Sequence, residues 1–175
     1  MTDYVILGTS HLVQESGEFE KAVEAAAANH GVVLIAEENP YDIDSTAARQ
    51  VARSRDIPYL QVDPSPSEWA LLEIDREMDL RNQCLQREDV RLSHADNVRE
   101  HLWLKRIEAS AKHGRVIVIC GYLHVDFFAE KVAKQGGRVV DKSTFPPNLL
   151  GTKPEKVLNP TELEELARTG QGAGP

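Results

Sequence analysis

A three-layer α/β domain with a mainly parallel sheet of about five strands is the fold class that the sequence predicts. Short apolar runs alternate with segments of helical periodicity along the chain. Several of the runs are unbroken stretches of β-branched residues, which is typical of strands covered on both faces. The 175 residues are enough for one such domain, which we place in residues 1–150, followed by a tail at residues 151–175.

The strands are expected at the apolar runs and the helices between them. The predicted strands are Tyr4–Leu7, Val32–Ala36, Tyr59–Val62, Val116–Cys120 and Arg138–Val140. The spacing of apolar residues predicts helices at residues 18–29, 42–54, 92–113 and 123–135. Asp42 or Asp44 is the expected N-cap of the second helix. A polar helical insertion is expected at residues 67–89, between the third and fourth strands, and a short tail helix at residues 161–168.

The charge balance excludes one class of function. The chain has 20 Lys and Arg residues against 28 Asp and Glu residues, a net charge of −8, whereas non-specific binding to nucleic acid or anionic membrane needs clustered basic residues. No apolar stretch approaches the roughly 20 residues of a membrane span, and the N-terminus is unlike a secretory signal. We expect a cytoplasmic protein with a small-molecule or peptide substrate, in which Cys84 and Cys120 are reduced thiols.

The helix predicted at residues 92–113 carries an anomaly on its apolar face. Its polar face is formed by His94, Asn97, His101, Lys105, Glu108 and Lys112, whereas Arg99 and Arg106 project from the apolar side. A buried guanidinium needs a carboxylate or a bound anion. Alternatively, the stem lies along the core edge and the charged end reaches water. Both interpretations stay open for Arg106, and we favour the buried one for Arg99, which lies nearer the centre of the face.

Chemically useful side chains follow three of the predicted strands. The first strand is followed by Gly8-Thr9-Ser10-His11, the second by Glu37-Glu38 and the fourth by Gly121-Tyr122-Leu123-His124. The carboxyl ends of parallel strands lie at one edge of a sheet, where ligands bind. We therefore expect both histidines and the glutamate pair to share one crevice, with a glycine at each tight turn from strand to helix.

Each of these residues also has a structural interpretation when it is taken singly. His11 would bond the start of a helix, His124 would pack against neighbouring aromatic rings, and Glu37-Glu38 would form a solvated loop. Asp63 and Asp141 are weaker candidates, because an Asp before proline is an ordinary turn signal. The combination of two GxxH repeats with an acidic pair at corresponding strand ends favours a site.

The order of these motifs resembles the TraB, Tiki and erythromycin-esterase (EreA/ChaN-like) superfamily. Its signature is two GxxH motifs, a glutamate pair between them and an arginine on a helix before the second motif. The segment from Arg99 to Trp103 looks like the family's R-[DE]-x-x-M helix, with Trp103 in place of Met, and the match covers residues 4–141. Because members include metal-dependent proteases, macrolide esterases, a haem-binding lipoprotein and regulators of peptide pheromones, the resemblance implies a fold and a hydrolytic centre, and it leaves the substrate open.

Hydrolysis of an ester or amide needs an activated water and a group that stabilises the oxyanion. In a metal-free version, His11 takes the proton from water while Glu37 or Glu38 orients the imidazole. His124 or Arg99 then stabilises the developing negative charge. In a metal-dependent version, His11, Glu38 and His124 bind a divalent transition metal such as Zn, Mn, Co or Fe, and the other glutamate is the base. Both versions stay open.

The two glutamates are expected to have different surroundings. Consecutive residues that leave a strand point to opposite sides, so one of them faces the histidines. We expect Glu38 to be that residue and Glu37 to reach Arg99 or the far side of the sheet.

Two other classes of function remain open. A non-catalytic binding or regulatory module would use the same crevice, with Arg99 holding an anionic ligand. A nucleotide-handling enzyme would use residues 8–10 as a phosphate loop. The second is the weaker alternative, because neither GxGxxG nor GxxxxGK[ST] follows the first strand.

Overall fold

Five parallel strands form one sheet in the computed structural model of the chain, which describes residues 1–10, 13–28, 31–39, 42–77, 94–145 and 161. The strands are β1 Thr2–Thr9, β2 Val32–Glu37, β3 Tyr59–Gln61, β4 Gly114–Gly121 and β5 Arg138–Phe145. They are arranged in the order β3-β2-β4-β1-β5, and every neighbouring pair is parallel. The structure confirms the predicted fold class.

Helices cover both faces of this sheet and complete the three layers. The described helices are α1 Gly17–Ala27, α2 Ala47–Ser54, α3 Pro66–Leu71, α4 His94–Ser110 and α5 Val125–Lys134, and all of them except α3 contribute side chains to the cores beneath these faces. Phe19 and Val23 of α1 pack with α2 against one face, where the strands present Ile35 and Ile117. Helices α4 and α5 pack against the other face, on side chains such as Val118. Alternate residues of each strand therefore contribute to two separate hydrophobic cores.

The predicted N-cap of α2 was wrong. The cap is Thr46, whose side chain accepts a hydrogen bond from the backbone N–H of Arg49. Asp42 and Asp44 both form salt bridges with the Arg49 side chain instead, and Asp42 has a left-handed backbone with φ of 50°. The aspartates therefore organise the loop before the helix, and the helix begins later than residue 42.

Helix α4 confirms the predicted polar face and revises the inward one. The six residues expected to face water are all exposed, and five of them lie in α4, whereas Lys112 lies just after its end. The buried face, however, contains Asp96, Arg99 and Glu100 together with apolar residues. A hydrophobicity pattern could not place these two acids inward, because their burial depends on partners elsewhere in the fold.

The path of the chain creates a topological switch point between β1 and β4, which are neighbours in the sheet. The connection that leaves β1 runs through α1 on one face, and the connection that leaves β4 runs through α5 on the other. Ligands of open α/β sheets bind beside such switch points, outside the carboxyl ends of the strands. The fold therefore places Ser10 and the turn after Gly121 at this edge.

Cys120 is a buried free thiol, as expected, and Cys84 lies outside the described residues. Most of the predicted 67–89 insertion and nearly all of the tail, including its predicted helix, also lie outside them. Among the helices that the structure describes, none has the length and apolar character needed to cross a bilayer.

Candidate active site

Glu37 and Glu38 diverge at the end of β2 to opposite faces of the sheet. Glu38 accepts a hydrogen bond from the backbone N–H of Gly121 at 2.7 Å through Oε2 and forms a salt bridge with Arg99 through Oε1. It lies in the direction that the alternation of strand side chains predicts, towards His124. The backbone carbonyl of Glu38 accepts a hydrogen bond from the Gln14 side chain at 3.1 Å.

Arg99 lies at the centre of a buried cluster of carboxylates. Its Nε donates to Asp63 Oδ1 at 2.8 Å, its Nη1 donates to Asp96 Oδ1 at 3.0 Å, and its Nη2 donates to Glu38 Oε1. The indole N–H of Trp103 donates to the same Asp63 oxygen at 3.0 Å. Burial lowers the pKa of Arg99, but the negative charges of these carboxylates raise it by more, so the guanidinium stays charged. The favoured interpretation, a buried Arg99 paired with carboxylates, agrees with this geometry.

His124 lies in a short 3₁₀ turn after β4, and it is buried beside this cluster. Its Nδ1 lies 2.8 Å from Glu100 Oε1. Its Nε2 lies 3.7 Å from Asp96 Oδ1 and 3.9 Å from Glu38 Oε1, too far for a hydrogen bond, and it has no other partner within the described ranges. The ring of Trp103 packs edge-on against the imidazole, with centroids 5.0 Å apart. The imidazole is therefore anchored through one nitrogen, and its other nitrogen is buried without a hydrogen-bond partner among the described residues.

The cluster has more acidic groups than basic ones among the described residues. Its carboxyl groups belong to Glu38, Asp63, Asp96 and Glu100, and its basic groups to Arg99, His124 and Lys131. Burial raises the pKa of Asp63 in spite of the Arg99 guanidinium. Burial also lowers the pKa of His124, but the negative charge of Glu38 and the hydrogen bond to Glu100 outweigh it and raise the pKa. The surplus of negative charge therefore favours cationic forms at this edge of the sheet.

Glu37 lies in a separate environment on the face covered by α1 and α2. Its Oε2 accepts hydrogen bonds from Tyr59 Oη at 2.6 Å and from Thr46 Oγ1 at 2.8 Å, whereas Oε1 is buried without a hydrogen-bond partner in the part of the chain that the structure describes. Burial raises the pKa of Glu37 to about 7, against the opposing effect of those two hydrogen bonds. Of the predicted site residues, the structure brings Glu38, Arg99 and His124 together and places Glu37 apart from them.

His11, the first of the two predicted histidines, lies outside the described residues, as does His30. Asp141 is exposed on β5 and does not join the cluster. Arg106 is partly exposed, and its Nη1 donates to the backbone carbonyls of Val62 and Asp63 at 3.0 Å each. Its side chain therefore binds the backbone that follows β3, and it also forms a salt bridge with Glu68.

Sequence reasoning underestimated Asp63 and missed Asp96 and Glu100. Asp63 is more than a turn residue, because it follows β3 at the same carboxyl edge and accepts hydrogen bonds from Arg99 and Trp103. Asp96 had a local signal, because it lies three residues before Arg99 on α4 and so on the same side of the helix. Glu100 directly follows Arg99, and helical spacing gives no reason for it to face the same way.

The two motif glycines are not required for backbone freedom at a tight turn, contrary to the expectation from the sequence. Neither Gly8 nor Gly121 has a positive φ angle. A Cβ atom at Gly8 would lie 2.3 Å from Val125 Cγ2 and 3.0 Å from Tyr122 Cα, so Gly8 allows the turn after β4 to pack against β1. A Cβ atom at Gly121 would meet its neighbours at 3.4 Å, an ordinary contact distance. Close approach, and not backbone freedom, explains the first glycine.

No family model matches the chain, and no match to it was found among curated proteins or solved structures.

Proposed function

We propose that this protein hydrolyses an ester or amide bond at the cluster around Glu38 and His124. The observation that carries the proposal is the unpartnered Nε2 of His124, which faces Glu38 Oε1 at a distance of 3.9 Å. That separation is too long for a direct hydrogen bond, and it allows one water molecule to bond both groups. A carboxylate and an imidazole that share a water are the groups that hydrolysis requires.

The contacts of each residue support a division of roles. Each of the three nitrogens of Arg99 donates to a different carboxylate, so Arg99 positions Glu38 and does not contact the substrate. Glu38 accepts the proton of the attacking water, directly or through His11. His124 donates from Nε2 to the oxygen on which negative charge develops, which agrees with its raised pKa.

In the metal-dependent version of the proposal, the side chains of Glu38 and His124 are two of the metal ligands. Nε2 of His124 and a carboxylate oxygen of Glu38 would hold the metal in this version, because imidazole nitrogen and carboxylate oxygen are its ordinary ligands. His11, the third expected ligand, lies outside the described residues, and no group of three metal-binding side chains occurs within them. A bound divalent metal would lower the pKa of its water and so generate the nucleophile.

The burial of the pair also bears on the reaction. Glu38 and His124 are 2% and 1% exposed, respectively. Exclusion of water strengthens electrostatic interactions inside such a site. Substrate entry therefore requires displacement of the atoms that cover the pair. The resemblance of the motif order to a superfamily with proteases and esterases supports the same class of reaction.

The test is a panel of aryl esters, lactones and short peptides incubated with the purified chain. We expect Glu38→Gln and His124→Asn to lower turnover by about 100-fold or more, as for loss of a general acid or base. The matched controls are Glu108→Gln and His101→Asn, which change exposed residues of α4 and should keep full turnover. Circular dichroism establishes that each variant is folded.

Elemental analysis of the parent and of His124→Asn distinguishes the two versions of the chemistry. A stoichiometric transition metal that is lost in the variant supports the metal-dependent version, and full turnover after chelation supports the metal-free one. The proposal fails if a folded parent binds members of the panel without turnover, which would favour a binding module, or if His124→Asn hydrolyses them like the parent.

A further inference from the structure

Glu100 has the contacts of a residue that acts through His124. It is 1% exposed on α4, directly after Arg99. Its Oε1 lies 2.8 Å from Nδ1 of His124, and its Oε2 lies 3.0 Å from Nζ of Lys131. Lys131 is held in turn by the backbone carbonyl and the side-chain oxygen of Asn97, at 3.0 and 2.8 Å. The carboxylate of Glu100 is therefore fixed at both of its oxygens.

The Glu100 contact decides which nitrogen of His124 is reactive. An ionised carboxylate only accepts hydrogen bonds, so Nδ1 must carry a proton and donate it to Glu100. Asp96 and Glu38 attract a proton towards Nε2, but at 3.7 and 3.9 Å they lie beyond hydrogen-bond distance. The neutral ring therefore keeps its proton on Nδ1, and the cationic ring that the oxyanion role requires carries its second proton on Nε2, the nitrogen that faces Glu38.

The orientation of the ring follows from the same contact. Trp103 packs edge-on against the imidazole, with centroids 5.0 Å apart, and limits its position on one side. A flip of the ring would replace Nδ1 by a carbon next to Glu100 and leave that oxygen of the buried carboxylate without its donor, at a cost of a charge-assisted hydrogen bond. Glu100 thus keeps Nε2 directed towards Asp96 and Glu38.

We infer that Glu100 is a positioning residue of the proposed hydrolytic centre. It fixes the His124 ring with Nδ1 protonated and Nε2 facing Glu38, and Lys131 holds Glu100 in place. This inference rests on the proposed function for its consequence in catalysis, while the placement of the ring is a property of the folded chain alone.

The experiment combines proton NMR with steady-state kinetics. A buried imidazole N–H that is bonded to a carboxylate gives a slowly exchanging downfield proton signal, which is assigned to His124 by its loss in His124→Asn. We expect this signal in the parent and in Glu38→Gln, because Glu38 does not contact Nδ1. We expect its loss in Glu100→Gln, in which Lys131 attracts the amide oxygen so that the amide nitrogen faces Nδ1.

A second variant separates geometry from charge. Glu100→Asp keeps the carboxylate and shortens the side chain by one methylene, so the 2.8 Å contact is lost and the signal should move upfield or disappear. Glu108→Gln, on the exposed side of α4, is the control and should retain the signal. With any substrate that the panel identifies, kcat should fall about 10–100-fold in both Glu100 variants, and KM should stay within twofold of the parent value.

The outcomes separate the inference from the proposed function. Retention of the signal in both Glu100 variants overturns the inference, whatever the parent hydrolyses. Loss of the signal with an unchanged kcat overturns the positioning role and leaves the hydrolase proposal intact. A parent that gives the expected signals and turns over no substrate overturns the proposed function, while the assignment of the His124 ring stands.

Discussion

At the scale of single residues, Arg99 holds several buried carboxylates together. Its planar guanidinium donates hydrogen bonds to Glu38, Asp63 and Asp96, each from a different nitrogen. Removal of one partner from a buried ion pair typically costs about 3–5 kcal/mol. We expect Arg99→Ala to lower the free energy of unfolding by that amount, because three buried carboxylates lose their counter-ion.

Arg99→Lys should not restore the parent. Lysine has one ammonium group on a flexible stem, so it cannot reach three carboxylates in the directions that a guanidinium does. Urea denaturation of both variants measures the cost, with Arg53→Lys as the control, since Arg53 is largely exposed and should change stability by less than about 0.5 kcal/mol. Parent-like stability in Arg99→Lys would contradict the role of the guanidinium geometry.

The stability of the protein should depend on pH through the buried side chain of Glu37. The pKa of Glu37 is about 7 in the folded chain, above its ordinary value of 4.5. Between these pH values the folded chain binds a proton that the unfolded chain has released, so the free energy of unfolding falls as the pH rises. The loss is complete above pH 7 and is on the order of 3 kcal/mol.

The variant Glu37→Gln isolates this effect, because an amide stays neutral at every pH. It should resemble the parent at pH 5 and be more stable than the parent at pH 8, with both measured by urea unfolding. Other groups with raised pKa values, such as His124 and Asp63, are present in both proteins and cancel in the comparison. A parent and a variant that lose stability in parallel would show that Glu37 is not protonated in the folded state.

At the scale of elements, the turn after β4 depends on close contact with β1. A Cβ atom at Gly8 would overlap Val125 and the backbone of Tyr122, whereas a Cβ atom at Gly121 finds ordinary contact distances. We expect Gly8→Ala to lower the free energy of unfolding by about 1–3 kcal/mol, as for overpacking. Gly121→Ala should cost less than about 0.5 kcal/mol and keep the N–H bond to Glu38.

Urea unfolding of the two glycine variants provides a matched comparison between the two GxxH motifs. The proposed activity should follow the same order, because a shift of the turn moves His124 relative to Glu38. Equal costs for the two variants would mean that the turn adjusts to the added methyl group, and that Gly8 has no special packing role.

At the scale of the whole molecule, the strand order predicts a gradient of local stability. Strand β4 lies between β2 and β1, and its residues from Val116 to Cys120 are fully buried. Strand β5 lies at the edge, and most of its residues are exposed or half-buried. We expect amide hydrogens of β4 to exchange slowest, and those of β5 to exchange at least tenfold faster, because edge groups open without unfolding of the sheet.

Hydrogen exchange measured by mass spectrometry or NMR tests this gradient. Equal protection of β4 and β5 would contradict it and would show that the open side of β5 is covered in solution. Strand β3, at the opposite edge, gives an internal comparison.

Local patterns in the sequence predicted the class of fold and the directions of three side chains in the candidate site. Unbroken β-branched runs indicated strands that are buried on both faces, and helical periodicity indicated helices that are buried on one face. Together they predicted a parallel sheet covered by helices, because both patterns are local consequences of burial. The same reasoning predicted that Arg99 points inward and that Glu37 and Glu38 diverge, since strand and helix periods fix the direction of a side chain. Both results needed only neighbours along the chain.

The partners of these side chains follow from the packing of distant segments of the chain. The separation in sequence is 61 residues between Glu38 and Arg99, and 36 between Asp63 and Arg99, so no local pattern could pair them. The same holds for Glu100, whose bond to His124 joins α4 to the turn after β4. Charged groups can be buried only where groups from several strands and helices come together and pair with one another. The packing of those strands and helices decides where this happens, and the periodicity of the sequence does not encode it.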